Sequence, residues 1–140
     1  MRDHCMIRPT STGCHTLWIL GHLAYIEGLV IYEFMLNEVN PVDHWKDMFD
    51  GPTVSDDPLD FVPFDEALES CRARRASTIE QLRAIGESDL DQVSKNVPSA
   101  AIEWFGTYRQ CFQYVSDHWF MHRGQLADAR SAAGVAKMWY

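Results

Sequence analysis

The sequence predicts an all-α fold, an up-down helical bundle built from three long helices. Apolar residues recur at alternating spacings of three and four over about 12–37, 63–85 and 99–133. Between these segments, proline, glycine and aspartate cluster where regular structure has to stop. No run shows the strict polar–apolar alternation of a half-buried strand. The 140 residues suit a single domain over 1–140 with one modest core.

In the first helix, Trp18, His22, Tyr25, Leu29, Tyr32 and Leu36 form one stripe, and Ile19, Leu23, Ile26 and Val30 form a second beside it. Two adjacent stripes predict burial over a wide arc. Ser11 or Thr12 is the expected N-cap, and Pro41 cannot continue the helix beyond Asn40. The connection "NPVDHWKDMFDGPTVSDDPLDFVPF" follows, roughly 25 residues of irregular composition, a length often tied to function. Within it, "VDHWKDMF" suits a short helical turn that docks Trp45 and Phe49 on the bundle, making the segment a surface connection pinned by two aromatics.

The second helix opens at Pro63, with Asp65 and Glu66 at the positive end of its dipole. Phe64, Leu68, Cys71, Ile79 and Leu82 mark a narrow apolar face, and Gly86 is the expected C′ stop. Arg72, Arg74, Arg75 and Arg83 read as its solvated face. The third helix starts after Pro98 with Ser99 as cap and ends at Gly134. Ala101, Phe105, Tyr108, Phe112, Val115, Trp119, His122, Leu126, Ala129 and Ala133 keep an unbroken four–three spacing, which predicts antiparallel packing.

Hydrophobic residues make up 46% and charged residues 23% of the chain, ordinary values for a soluble globular protein. Net charge is −8, and no basic cluster exceeds the "RARR" of 72–75, which argues against a nucleic-acid partner. The longest uncharged stretch, "STGCHTLWILGHLAYI", carries two histidines and is short for a bilayer span, so no membrane partner is expected. Cys5, Cys14, Cys71 and Cys111 are scattered, as reduced thiols of a cytoplasmic protein would be. The N-terminus has no signal-peptide or transit pattern.

The histidines carry the chemistry. His122 occupies a core position of the third helix, and His118 lies one turn before it on nearly the same side. His22 sits mid-stripe on the first helix. Any one of them is most simply a hydrogen-bonded core histidine. Three on the inward stripes of two helices are costly to bury without partners, and one divalent cation satisfies all three. Imidazole suits zinc, nickel, copper or iron, and three protein ligands leave an open position of the catalytic type. His15 lies about 10 Å along the axis from His22 and cannot join them. His4 and His44 fall in irregular segments, and Cys111 is out of reach. Glu27 sits about 500° of turn from His22, a polar-face position rather than a ligand. Asp117 points away as a solvent-facing charge. Arg123 and Gln125 either contact a substrate anion or cap neighbouring helices, and Gly124 suits a close helix approach. Tyr25 and Trp119 read as core packing.

At these residues the sequence resembles the DinB-like superfamily of metal-binding helical bundles. "HTLWILGHLAYIEG" (15–28) is similar to the first metal-bearing helix of that family and "HWFMHRGQLADARSAAG" (118–134) to its last, with "FDEALESCRARRASTIEQLRAI" between them. The likeness covers about residues 7 to 135. It implies a bundle of the DinB-like four-helix type with the first helix truncated, three long helices remaining and a long connection between helices two and three. The chain is then a truncated reading frame, a minimal form, or a bundle completed by a partner. Apolar rows such as Ile19, Leu23, Ile26 and Val30 would lie open, favouring a homodimer.

By position, the resemblance implies metal ligands at His22, His118 and His122, holding a divalent transition metal that the sequence does not distinguish among Zn, Ni and Fe. Some members of the superfamily are bacillithiol S-transferases or mycothiol-dependent isomerases. The implied activity is metal-dependent transfer or isomerisation of a small-molecule electrophile, with a low-molecular-weight thiol as cosubstrate. A metal-dependent hydrolase, which needs a nearby general base, and a non-catalytic metal- or ligand-binding module remain as alternatives.

Overall fold

The computed structural model describes residues 2–51 and 53–136, and among these the chain is helical with no strand. The first helix, α1 (Thr16–Gly28), is capped by His15 rather than by Ser11 or Thr12, which lie in a preceding turn. His15 Nδ1 accepts the Trp18 amide at 3.1 Å, so its proton sits on Nε2, which donates to the Ser55 carbonyl at 3.0 Å. Arg8 anchors the same turn by donating to the carbonyls of Gly13 and Ser55 at 2.7 and 3.1 Å. Before Thr16, the described residues form only a 3-10 turn at Arg2–His4 and irregular chain.

α1 runs into a π-helical segment, Leu29–Leu36. Each π turn holds more residues than an α turn, so the buried face rotates away from the stripe drawn at α spacing. Val30, Ile31 and Met35 are buried, five residues separating Val30 from Met35, while Leu29, Tyr32 and Leu36 are half-buried. The segment stops at Asn37, whose φ of 56° is left-handed, a conformation that asparagine tolerates. Its last carbonyls are not left open. Tyr32 O accepts the Glu38 amide at 2.8 Å, and Phe34 O and Met35 O accept the amides of Asn96 and Lys95 at 2.9 and 3.1 Å. The continuous helix Thr16–Leu36 is long and apolar enough to cross a membrane, longer than the uncharged stretch read from sequence. In this fold it is the central helix, packed against helices on two sides.

The apolar rows expected to lie open are covered. Ile19, Leu23 and Val30 are 0%, 3% and 1% exposed, so they supply no surface for association. The connection does much of the covering. After a 3-10 turn at Asp43–Trp45 it forms α2 (Lys46–Phe49), and Trp45 and Phe49 are fully buried in the cluster that holds Ile19 and Leu23. Two glycines of α1 admit it. A Cβ on Gly21 would lie 2.2 Å from the Phe49 ring, and one on Gly28 would lie 2.1 Å from Asn40 Oδ1. Asn40 is itself pinned, Nδ2 donating to Tyr25 O at 3.2 Å and Oδ1 accepting the Val42 amide at 3.1 Å.

α3 (Phe64–Ala84) packs along α1 through Ala67, Cys71 and Thr78, whereas Ile79 and Leu82, assigned to the apolar face from sequence, are exposed. Gly86 keeps a negative φ and leads into a 3-10 turn at Glu87–Asp91 rather than acting as a left-handed stop.

The third long helix is not continuous. A 3-10 turn at Ser99–Ala101 and the short α4 (Ile102–Phe105) precede a break at Gly106–Thr107, and α5 (Tyr108–Ala132) begins there. Thr107 is extended and closes a capping box: its hydroxyl accepts the Gln110 amide at 3.3 Å, and Gln110 Oε1 accepts the Thr107 amide at 2.9 Å. Thr107 also bridges to Val93 as an isolated pair. Gly134, with φ of 67°, ends the helix in the expected left-handed conformation.

Candidate metal centre

α1 and α5 bring three imidazoles to one point. His22 lies mid-helix on α1, its ring stacked on Trp18 one turn earlier at 4.3 Å and 13°. Its Nδ1 donates to the Phe49 carbonyl at 2.6 Å. His122 Nδ1 donates to Gln125 Oε1 at 2.8 Å. Because each acceptor is an oxygen, each Nδ1 carries the proton and each Nε2 presents a lone pair. His118 stacks on Tyr114 at 5.6 Å and 16°, and its Nε2 lies 3.2 Å from His22 Nε2 and 3.0 Å from His122 Nε2.

The three ligand atoms lie within 4.8 Å of one another, with His118 and His122 buried. Bonds of about 2.0–2.1 Å to one cation would separate imidazole nitrogens by about 3.0–3.4 Å, depending on geometry. The two measured separations fall in that range. With Nε2 of His22 and His122 presenting lone pairs on either side of His118 Nε2, three imidazole nitrogens form a donor set that suits a divalent transition metal. Phe49 O and Gln125 Oε1 fix two of the rings, as outer partners of metal-binding histidines commonly do.

Electrostatics keep the rings ready. Burial lowers the His118 pKa to about 3, with further lowering from His122, His22 and Arg75. Burial and His22 lower His122 to about 4 against the Gln125 bond. Burial also lowers His22, against the Phe49 carbonyl. All three are neutral at pH 7, the form a metal requires.

This has a consequence for the metal-free protein. Between the unfolded histidine value, about 6.5, and these lower folded values, the unfolded chain binds more protons, so stability falls as pH falls. Each histidine adds up to about 1.4 kcal/mol per pH unit in that window. Thermal melts with chelator are expected to show Tm dropping steeply from pH 6.5 to 5. A Tm that stays flat over that range would contradict the buried neutral triad.

A sequence profile of the DinB superfamily matches residues 3–126. The chain belongs to the DinB superfamily. Comparison with the curated proteins and with the solved structures finds no match. In this DinB-superfamily fold, the residues singled out from sequence separate into three groups. His22, His118 and His122 meet. His15 caps α1, His4 and His44 are exposed, and Asp117 is exposed and accepts from Gln113 at 2.9 Å. Cys111 is buried beside Ser94, outside the cluster.

The third group is corrected. Glu27 is not on a polar face: it is 2% exposed, accepts from the Trp119 indole at 2.6 Å and pairs with Arg75 at 3.2 Å. Arg75 is therefore not a solvated residue. It also donates to Val115 O at 3.3 Å and lies 4.4 Å over the Trp119 ring. Gly124 faces open space, so it serves no close helix approach. Gln125 holds the His122 ring through its Oε1.

Sequence reasoning missed the Phe49 carbonyl as the acceptor for His22 and Gly21 as its seat. The available signal was "GH" at 21–22, a glycine one position before a predicted ligand. Gly21→Ala adds overpacking of about 1–3 kcal/mol, offset by about 1 kcal/mol of helix propensity. A net loss of up to about 2 kcal/mol in urea unfolding is expected. Displacing Phe49 O from His22 should also weaken metal binding by about ten-fold. Unchanged affinity in a metal titration would show that the carbonyl does not orient the ring.

The triad is reached from two sides. A groove of about 700 Å³ along α4 and α5 ends at His118, and a smaller one of about 330 Å³ between α1 and α5 ends at His122.

Proposed function

We propose that His22, His118 and His122 hold one divalent transition metal (zinc, nickel or iron). On this reading the protein is a metal-dependent transferase or isomerase that joins a low-molecular-weight thiol to a small electrophile. The observation that carries it is the convergence of three neutral Nε2 atoms on one point. A bound cation would supply the positive charge that lowers a coordinating thiol's pKa and yields thiolate at neutral pH.

The chain's residues do the remaining work. Three uncharged ligands leave the full charge of the cation uncompensated, which favours an anionic partner such as thiolate over a neutral one. Phe49 O and Gln125 Oε1 hold two rings in the tautomer that faces the site. Trp18 and Tyr114 stack on His22 and His118 and keep water from their faces. A hydrolytic role finds little support, because Glu27, the buried carboxylate among the described residues, is engaged by Arg75 and Trp119. Four unpaired cysteines support a reducing, cytoplasmic setting.

The test is twofold. Elemental analysis of the purified protein should find about one metal per chain, as one triad can ligate one ion. The loaded protein, offered a panel of biological thiols and a test electrophile, should consume the electrophile only with thiol and metal together. Consumption without thiol would point to hydrolysis. Retained metal without turnover would leave a binding module.

A further inference from the structure

The larger groove beside His118 has a chemistry of its own. Its apolar surface comes from Trp104, Met121 and Tyr114, with Trp104 65% and Met121 54% exposed. Tyr114 forms the inner wall by stacking on His118. Two carboxylates, Glu103 and Asp117, line the same groove, and both residues are exposed.

Several side-chain donors along this groove are turned toward the protein's own carboxylates and carbonyls. Arg109 spends its guanidinium on Asp91, at 2.8 and 3.3 Å, and on Glu87, at 2.9 Å. Two carboxylates on one guanidinium leave that corner net negative. Gln110 Nε2 donates to the Glu103 carbonyl at 2.9 Å, and Gln113 Nε2 donates to Asp117. An anionic ligand would meet the exposed carboxylates of Glu103 and Asp117. A flat cation would find an indole face and two acidic groups, the arrangement that attracts cations over aromatic rings. The volume of about 700 Å³ leaves ample room for a polycyclic aromatic molecule.

We propose that this groove is the acceptor subsite and takes a flat aromatic cation, held over Trp104 with its charge near Glu103 and Asp117. The assignment rests on the transferase reading for the word acceptor. Its binding chemistry stands apart from that reading, because it needs neither thiol nor metal.

The experiment is a calorimetric titration of the full chain, metal-free and zinc-loaded, with 1-methylquinolinium and with 2-naphthoate, probes of equal size and opposite charge. Quinolinium should bind the metal-free chain about ten-fold more tightly than naphthoate, and both added salt and zinc at His118, whose charge favours anions, should narrow the gap. Trp104→Ala should weaken quinolinium several-fold, and Asp117→Asn combined with Glu103→Gln should remove most of the preference. All three positions are exposed, so circular dichroism should show the fold intact. Naphthoate binding the metal-free chain equally or better, or quinolinium binding unaffected by Trp104→Ala, would overturn the proposal. A thiol assay that fails while this preference persists would remove only the transferase reading.

Discussion

His118→Ala is expected to abolish metal binding at the proposed centre. His118 is the shared neighbour of the triad, its Nε2 lying within 3.2 Å of both other Nε2 atoms. Its loss leaves His22 and His122, whose rings are 4.9 Å apart, with no third donor between them. Loss of an outer partner typically costs 10–100-fold in affinity, so loss of a direct ligand should cost more than about a hundred-fold. Metal content should fall from about one ion per chain to a trace by elemental analysis. Helix content should persist, because His118 is a desolvated neutral group whose removal leaves no unpaired charge. His118→Asn, which keeps a polar group with less void, separates ligand loss from packing loss: it too should lose the metal. Full metal content in both variants would remove the centre as described.

The helical class was legible because three segments carry an apolar period that strands cannot satisfy, and the site was legible for the same reason. His22, His118 and His122 stand at core positions of that period, where an unpaired imidazole is costly. What escaped the reading depends on contacts between distant segments. The Phe49 carbonyl reaches His22 only because α2 folds back on Gly21, and the glycine before His22 marks a seat without saying which residue fills it. The break before α5 did leave a trace, since Thr107 and Gln110 form a capping box, but the four–three spacing ran through it and hid it. The π segment was illegible because a period of 3.6 was imposed on residues that turn more widely. Glu27 was assigned to a polar face from its angle to His22, and Arg75 to solvent as one of a run of arginines, and each is inside because the other is there.

That pair carries the second large effect. Arg75→Met should destabilise the protein by about 3–5 kcal/mol, because it strips the cation from a carboxylate that is itself 2% exposed. Burial already raises the Glu27 pKa, against the lowering by Thr78, Arg75 and Trp119, so the carboxylate has little hydration to fall back on. Glu27→Gln in the same chain removes the stranded charge and keeps an acceptor for the Trp119 indole. The double variant should therefore be more stable than Arg75→Met alone, with a coupling of about 1–3 kcal/mol in urea unfolding. The effect should reach the metal. Arg75 covers the Trp119 ring and donates to Val115 O, so it sets how α5 turns His118 and His122 toward α1. Arg75→Met should accordingly weaken metal binding, and the double variant should recover part of it, since Trp119 regains a neutral anchor on α1. An Arg75→Met protein within about 1 kcal/mol of the parent would show that the pair is solvated in solution, and that the buried carboxylate does not tie the three helices together.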